Sequence, residues 1–123
     1  MGTALFVGCG GFLGALSRHA LAGLVHRIYP GPFPVGTLVV NVLGCLLIGF
    51  LMALLDRGPL VSTEMRSFLT IGLLGSFTTF STFGYETWGA IRVGDARMAI
   101  LNVLLNVLVG LAALWLGHVL GGC

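Results

Sequence analysis

Apolar residues gather into four stretches, at about residues 3–25, 35–55, 63–90 and 97–120, each near the roughly 20 residues that a helix needs to cross a bilayer. Lipid offers no partner to a backbone N–H or C=O, so a segment that crosses it must satisfy its own backbone, as a helix does. Only 8% of the residues are charged and 57% are hydrophobic, far from the roughly 25% charged residues of ordinary globular domains. The expectation is an all-α membrane protein, a single four-span domain over residues 1–123, with no length left for a soluble domain.

The formal net charge of +2 comes from arginines spread along the chain. That is too little and too scattered for a nucleic-acid partner or an acidic protein. Cys9, Cys45 and Cys123 stand singly, without CxxC or Cys/His spacing, which suggests neither a metal site nor a disulfide framework and reads as buried small residues. The N-terminus lacks the basic region of a cleaved signal and its apolar run continues past His19, so it reads as a retained first span.

Arg18, Arg27, Arg92 and Arg97 fall on one expected side, and Arg57, Arg66 and the chain amine on the other. Orientation follows an arginine and lysine excess, and so slight a bias permits insertion both ways. Two oppositely inserted copies can then pair as an antiparallel, dual-topology homodimer.

In the first span Gly10 and Gly14 form a GxxxG pair, with Arg18 one turn on; small residues at this spacing mark a helix contact face. The second span opens after Pro34 and carries Thr37 and Asn41 on one face, and Asn102, Asn106 and Gly110 share a face of the fourth. Ser62 or Thr63 can cap the third span, with Glu64 near the positive end of its dipole.

That third span contains Gly75-Ser76-Phe77-Thr78-Thr79-Phe80-Ser81-Thr82-Phe83, a run of glycine, hydroxyl and phenylalanine residues that reads as a mid-membrane helix break. Irregular backbone at membrane depth is tolerated only against protein, bound ions or water. Carbonyls of Gly75 and Thr78 left without helical donors suit a hard cation such as Na⁺. One copy supplies too few oxygens, whereas two copies crossing at their breaks supply four. A glycine-assisted kink satisfied by nearby hydroxyls is the alternative.

Polar residues inside spans are costly. Thr37, Asn41, Thr79, Ser81, Thr82, Asn102 and Asn106 together exceed what assembly of four helices needs, and their amide and hydroxyl groups are neutral donors of the kind a desolvated anion requires. Phe80 and Phe83, at i,i+3, share a face; ordinary packing accounts for such a pair, but ring edges carry partial positive charge and can line an anion path. Arg18 reads as a snorkelling end charge or an attractor of anions to a vestibule. Glu86 reads as a hydrogen-bond partner of a neighbouring helix or of the half-helix opening rather than a proton carrier. His19, His26 and His118 have no metal or catalytic spacing, no phosphate cradle or Ser/His/Asp pattern is present, and no enzyme is indicated. Trp88 and Trp115 read as interfacial anchors.

Three motifs in order resemble those of the small bacterial fluoride channels, the Fluc or CrcB proteins, over essentially the whole chain. Gly75 to Phe83 resembles GGxTTFSTF, Gly36-Thr37-Leu38-Val39-Val40-Asn41 with Gly44 resembles GTLxVN-x-x-G, and Gly10-Gly11 through Gly14-Ala15 to Arg18 resembles GGxxGAxxR. The resemblance implies a dual-topology homodimer in the inner (plasma) membrane, multi-pass and lipid-embedded, with two antiparallel fluoride pores and a central structural Na⁺ that is not transported. Gly75 and Thr78 match the Na⁺-binding carbonyls, Phe80 and Phe83 the pore phenylalanines and Asn41 the pore asparagine. Thr37, Ser81 and Thr82 match adjoining polar positions, and Arg18 and Glu86 the first-span arginine and third-span glutamate. Ser76 stands where the family commonly has a second glycine, and Asn102, Asn106 and Gly110 stand where its fourth span carries Tyr or Ser; Asn106 is taken as the pore-side residue there.

The expected function is passive export of fluoride, which enters as the neutral acid. A small dual-topology multidrug exporter is the alternative, but it needs an embedded acid to couple protons, and the only one within a span is Glu86 near a span end. A non-transporting assembly subunit explains the glycines and leaves the Asn, Thr and Phe constellation unexplained.

Overall fold

The computed structural model of the chain describes residues 1–123, and its regular structure is helical throughout. Helix α1, Gly2–Ile28, ends where Tyr29 donates its N–H to the Val25 carbonyl, just ahead of the turn that holds Pro30, Pro32 and Pro34. Helix α2, Val35–Leu55, starts directly after Pro34 and stops at a turn containing Gly58, whose φ of 151° only glycine adopts readily.

Helix α3 covers residues 63–77: an opening Thr63–Ser67, a π-helical stretch Phe68–Leu74 and a last turn Gly75–Phe77. Ser62, not Thr63, caps it, its hydroxyl accepting from Met65 N–H at 3.2 Å. Thr78 and Thr79 are then extended, with ψ of 161° and 117°. Helix α4, Phe80–Arg92, follows. It closes at Gly94, φ 80°, with Gly94 N–H bonded to Ile91 O and Asp95 N–H to Ala90 O, the paired bonds of a left-handed helix terminus. Asp95 at once caps the next helix, accepting from Met98 N–H at 3.0 Å. That helix, α5, is Ala96–Gly122, with a second π-helical stretch at Leu105–Val109.

Helices α1, α2 and α5 are long and apolar enough to cross a membrane. The 13 residues of α4 rise only about 20 Å, short of a hydrocarbon core of roughly 30 Å.

Only 19 of the 123 residues are buried, and large apolar side chains such as Leu5, Phe12, Leu111 and Trp115 face outward. In lipid such exposure costs nothing, and helices associate through close packing of small residues instead. Gly10 and Gly14 of α1 meet the backbone of α3 at Phe68, Leu73 and Phe77, and Gly72 of α3 meets Val7 and Gly10. Gly49 of α2 meets α5 at Leu114 and His118, while Gly117 and Gly121 of α5 meet α2 at Leu46 and Phe50. Gly44 of α2 lies beneath Thr78 and Phe77, so the end of α3 rests on α2. Ser76 Oγ lies over Gly11, where a Cβ would stand 3.2 Å away; the serine is accommodated because α1 has no side chain opposite it.

Candidate functional site

The interruption between α3 and α4 is held by one side chain. Asn41 Oδ1 accepts from Thr79 N–H at 2.9 Å, and Asn41 Nδ2 donates to the Thr79 carbonyl at 3.1 Å. The amide thus pairs with both polar groups of one extended residue, as a neighbouring strand would. Its second N–H donates to Asn106 Oδ1 at 3.0 Å. Both donors of Asn41 are therefore engaged within the chain, and bonding an ion directly would require it to release Thr79 or Asn106.

This pairing alters the backbone around it. In a continuous helix Thr79 N–H would go to the Gly75 carbonyl and Thr82 N–H to that of Thr78. Here Thr79 N–H goes to Asn41, and Thr82 N–H goes to Thr79 Oγ1 at 3.2 Å, capping α4. The carbonyls of Gly75 and Thr78 lose their helical donors as a result. Gly75 is exposed on the surface of the chain.

Two cavities meet at Thr79. The first is an open groove of about 360 Å³ walled by Asn41, Gly75, Thr78, Thr79, Phe80, Phe83 and Asn106 among others. Phe80 is 83% exposed, and its ring lies 5.6 Å from that of Phe83, centroid to centroid, with the planes tilted by 58°. The second cavity, about 380 Å³, is walled by Arg18, His19, Thr37, Thr79 and Thr82 among others. One cationic side chain and three hydroxyl residues there make a wall suited to an anion.

The expected site residues thus divide. Asn41, Phe80, Phe83, Asn106, Gly75 and Thr78 gather at the groove, and Arg18, Thr37 and Thr82 at the second cavity. Ser81 is exposed and lines neither. Glu86 lies beside Thr37 and borders a separate cavity with His26 and Asp95; its Oε1 is buried and has no hydrogen-bond partner in the chain. Thr87, which no sequence pattern singled out, accepts from Asn102 Nδ2 at 2.9 Å and donates to the Phe83 carbonyl at 2.8 Å. A threonine bonded to the carbonyl four residues back is common in helices, so the sequence carries no signal for its second partner.

Residues 5–118 match the family model described as CrcB-like protein, Camphor Resistance (CrcB). The chain is 48% identical over 117 residues to a protein of Geotalea daltonii named fluoride-specific ion channel FluC, covering 95% of this chain and 94% of that one. It is 42% identical over 118 residues to a protein of the same name from Clostridium novyi, covering 96% and 92%, and 48% identical over 111 residues to one from Hydrogenovibrio crunogenus, covering 90% and 84%.

Proposed function

The chain belongs to the CrcB-like family, whose members are channels rather than enzymes, and on that premise we propose that it is a fluoride-specific ion channel. Flow is passive and runs outward through the inner (plasma) membrane whenever cytoplasmic fluoride exceeds its equilibrium level. The observation that carries this reading is the shared wall at Thr79: a cavity with Arg18 and hydroxyls opens on one side, and a groove with Phe80 and Phe83 on the other. A small anion leaving water needs donors in place of its hydration shell, and weak, multiple contacts allow it to leave again. Arg18 draws the anion in; Thr37 and Thr82 offer hydroxyls in the second cavity, and Ser81, exposed outside both cavities, would join them only against a second copy; the edges of Phe80 and Phe83 supply partial positive charge. Asn41 and Asn106 border this path; Asn41 holds Thr79 and Asn106 holds Asn41, rather than either carrying the ion. Glu86, beside Thr37, supports the second cavity.

In this reading α3 and α4 form one span, interrupted mid-membrane at Thr78 and Thr79, which together with α1, α2 and α5 makes four. The working unit is an antiparallel, dual-topology homodimer in lipid. Phe80 and Gly75 are exposed on a single subunit, and a second copy covering them would close the groove into a path. The freed carbonyls of Gly75 and Thr78 fit one half of a hard-cation site, completed by the same pair from the partner. A structural Na⁺ held there would lend fixed positive potential to the dimer centre.

Reconstituted protein in fluoride-loaded liposomes tests the proposal. Fluoride release to an ion electrode, with no chloride release from matched vesicles, is the expected result. Equal release of both ions, or of neither, overturns it.

A further inference from the structure

The bonds around Asn41 continue into a chain with one direction. Thr79 N–H donates to Asn41 Oδ1, Asn41 Nδ2 to Asn106 Oδ1 at 3.0 Å, and Asn106 Nδ2 to Asn102 Oδ1 at 3.0 Å and to the Asn102 carbonyl at 2.9 Å. Asn102 Nδ2 donates to Thr87 Oγ1 at 2.9 Å, and Thr87 Oγ1 donates to the Phe83 carbonyl at 2.8 Å. The relay leaves α4 at its cap, crosses α2 and α5, and returns to α4 one turn later. Its ends fix its sense, because a backbone N–H can only donate and a carbonyl can only accept. Turning any one amide over would face donor to donor or acceptor to acceptor. Asn102 is 1% exposed, so none of its bonds can be replaced by water without opening the helix packing.

We propose that Asn102 and Thr87 are positioning residues for the ion path: acting through Asn106, they lock the Asn41 amide onto Thr79 and so set the helix interruption and the first turn of α4 that carries Phe80 and Phe83. The role in conduction rests on the channel reading above; the mechanical coupling to Thr79 does not. Thr87→Val keeps the shape of the side chain and removes the hydroxyl, leaving Asn102 Nδ2 without an acceptor and Phe83 without the added donor. Slack at that end passes to Asn41, since cooperative chains of hydrogen bonds are not a sum of independent pairs.

Two measurements on the full-length protein in liposomes test this. Amide exchange at Thr79 should quicken by about tenfold in Thr87→Val and in Asn102→Leu, and Thr87→Ser, which retains the hydroxyl, should restore it to within about twofold of the parent. Fluoride release should follow the same order, and Thr87→Val added to Asn41→Ala should lower release no further than Asn41→Ala alone, because both cut one relay. Thr79 exchange unchanged in Thr87→Val overturns the proposal, as does equal loss in Thr87→Ser. If Thr79 exchange responds while even the parent releases no fluoride, the channel reading falls and the coupling stands.

Discussion

Phe80 and Phe83 present tilted rings along the groove, and Phe80 has almost no cover. An isoleucine of similar bulk keeps the apolar surface and abolishes the positive ring edge. Phe80→Ile and Phe83→Ile should each lower fluoride release from liposomes by about tenfold or more while leaving the size-exclusion profile of the parent unchanged; unchanged release in both would remove the rings from the path. Asn41 has a different part. Asn41→Leu strands Thr79 N–H, the Thr79 carbonyl and Asn106 Oδ1 together, and at about 0.6 kcal/mol for each of these three interhelical bonds should lower stability in detergent by on the order of 2 kcal/mol, read as a drop in the thermal midpoint. The sequence marks Asn41, Asn102 and Asn106 as costly polar residues, but which of their donors remain free depends on partners 38 and 65 residues away. For that reason Asn41 looks like a donor to an anion from sequence and proves to have both its N–H groups engaged within the chain.

Helix contacts are made by glycines at positions where a methyl group has no room. A Cβ on Gly14 would stand 3.0 Å from the Leu73 carbonyl carbon and 3.1 Å from Phe77 N, whereas one on Gly23 would meet nothing within 4 Å. Gly14→Ala should therefore cost about 1–3 kcal/mol by overpacking, and Gly23→Ala should be neutral or gain about 0.5 kcal/mol from lost chain entropy. A pair of thermal unfolding scans reads the difference, and equal shifts would show that α1 does not rest on α3 through this face. The GxxxG spacing alone makes that face legible in the sequence. The π-helical stretches at Phe68–Leu74 and Leu105–Val109 are not legible, because their apolar residues carry the same helical spacing as the turns on either side. Thr78 and Thr79 are extended between α3 and α4, held by the cap that Thr79 offers α4 and the clamp from Asn41, whose spacing of 38 residues no local pattern displays.

At the scale of the whole molecule the chain carries an open groove, an exposed Phe80 and carbonyls of Gly75 and Thr78 that lack helical donors. If two opposed copies complete it, Cys123, exposed after the end of α5, should label with a membrane-impermeant maleimide from one side in about half the copies once Cys9 and Cys45 are replaced. Labelling of all copies from one side would exclude dual topology. Sequence by itself determined that the chain is helical and rich in apolar spans, that Gly10 and Gly14 mark a contact face, and which family it belongs to. Each of these follows from hydrophobic run length, helical period or contiguous motif, all properties of neighbours along the chain. Only the tertiary structure decided which donors are consumed, that Thr87 joins the polar chain, and that Thr79 stands between two cavities. Hydrogen-bond partners across helices are chosen by distance and direction in space, which no local pattern encodes.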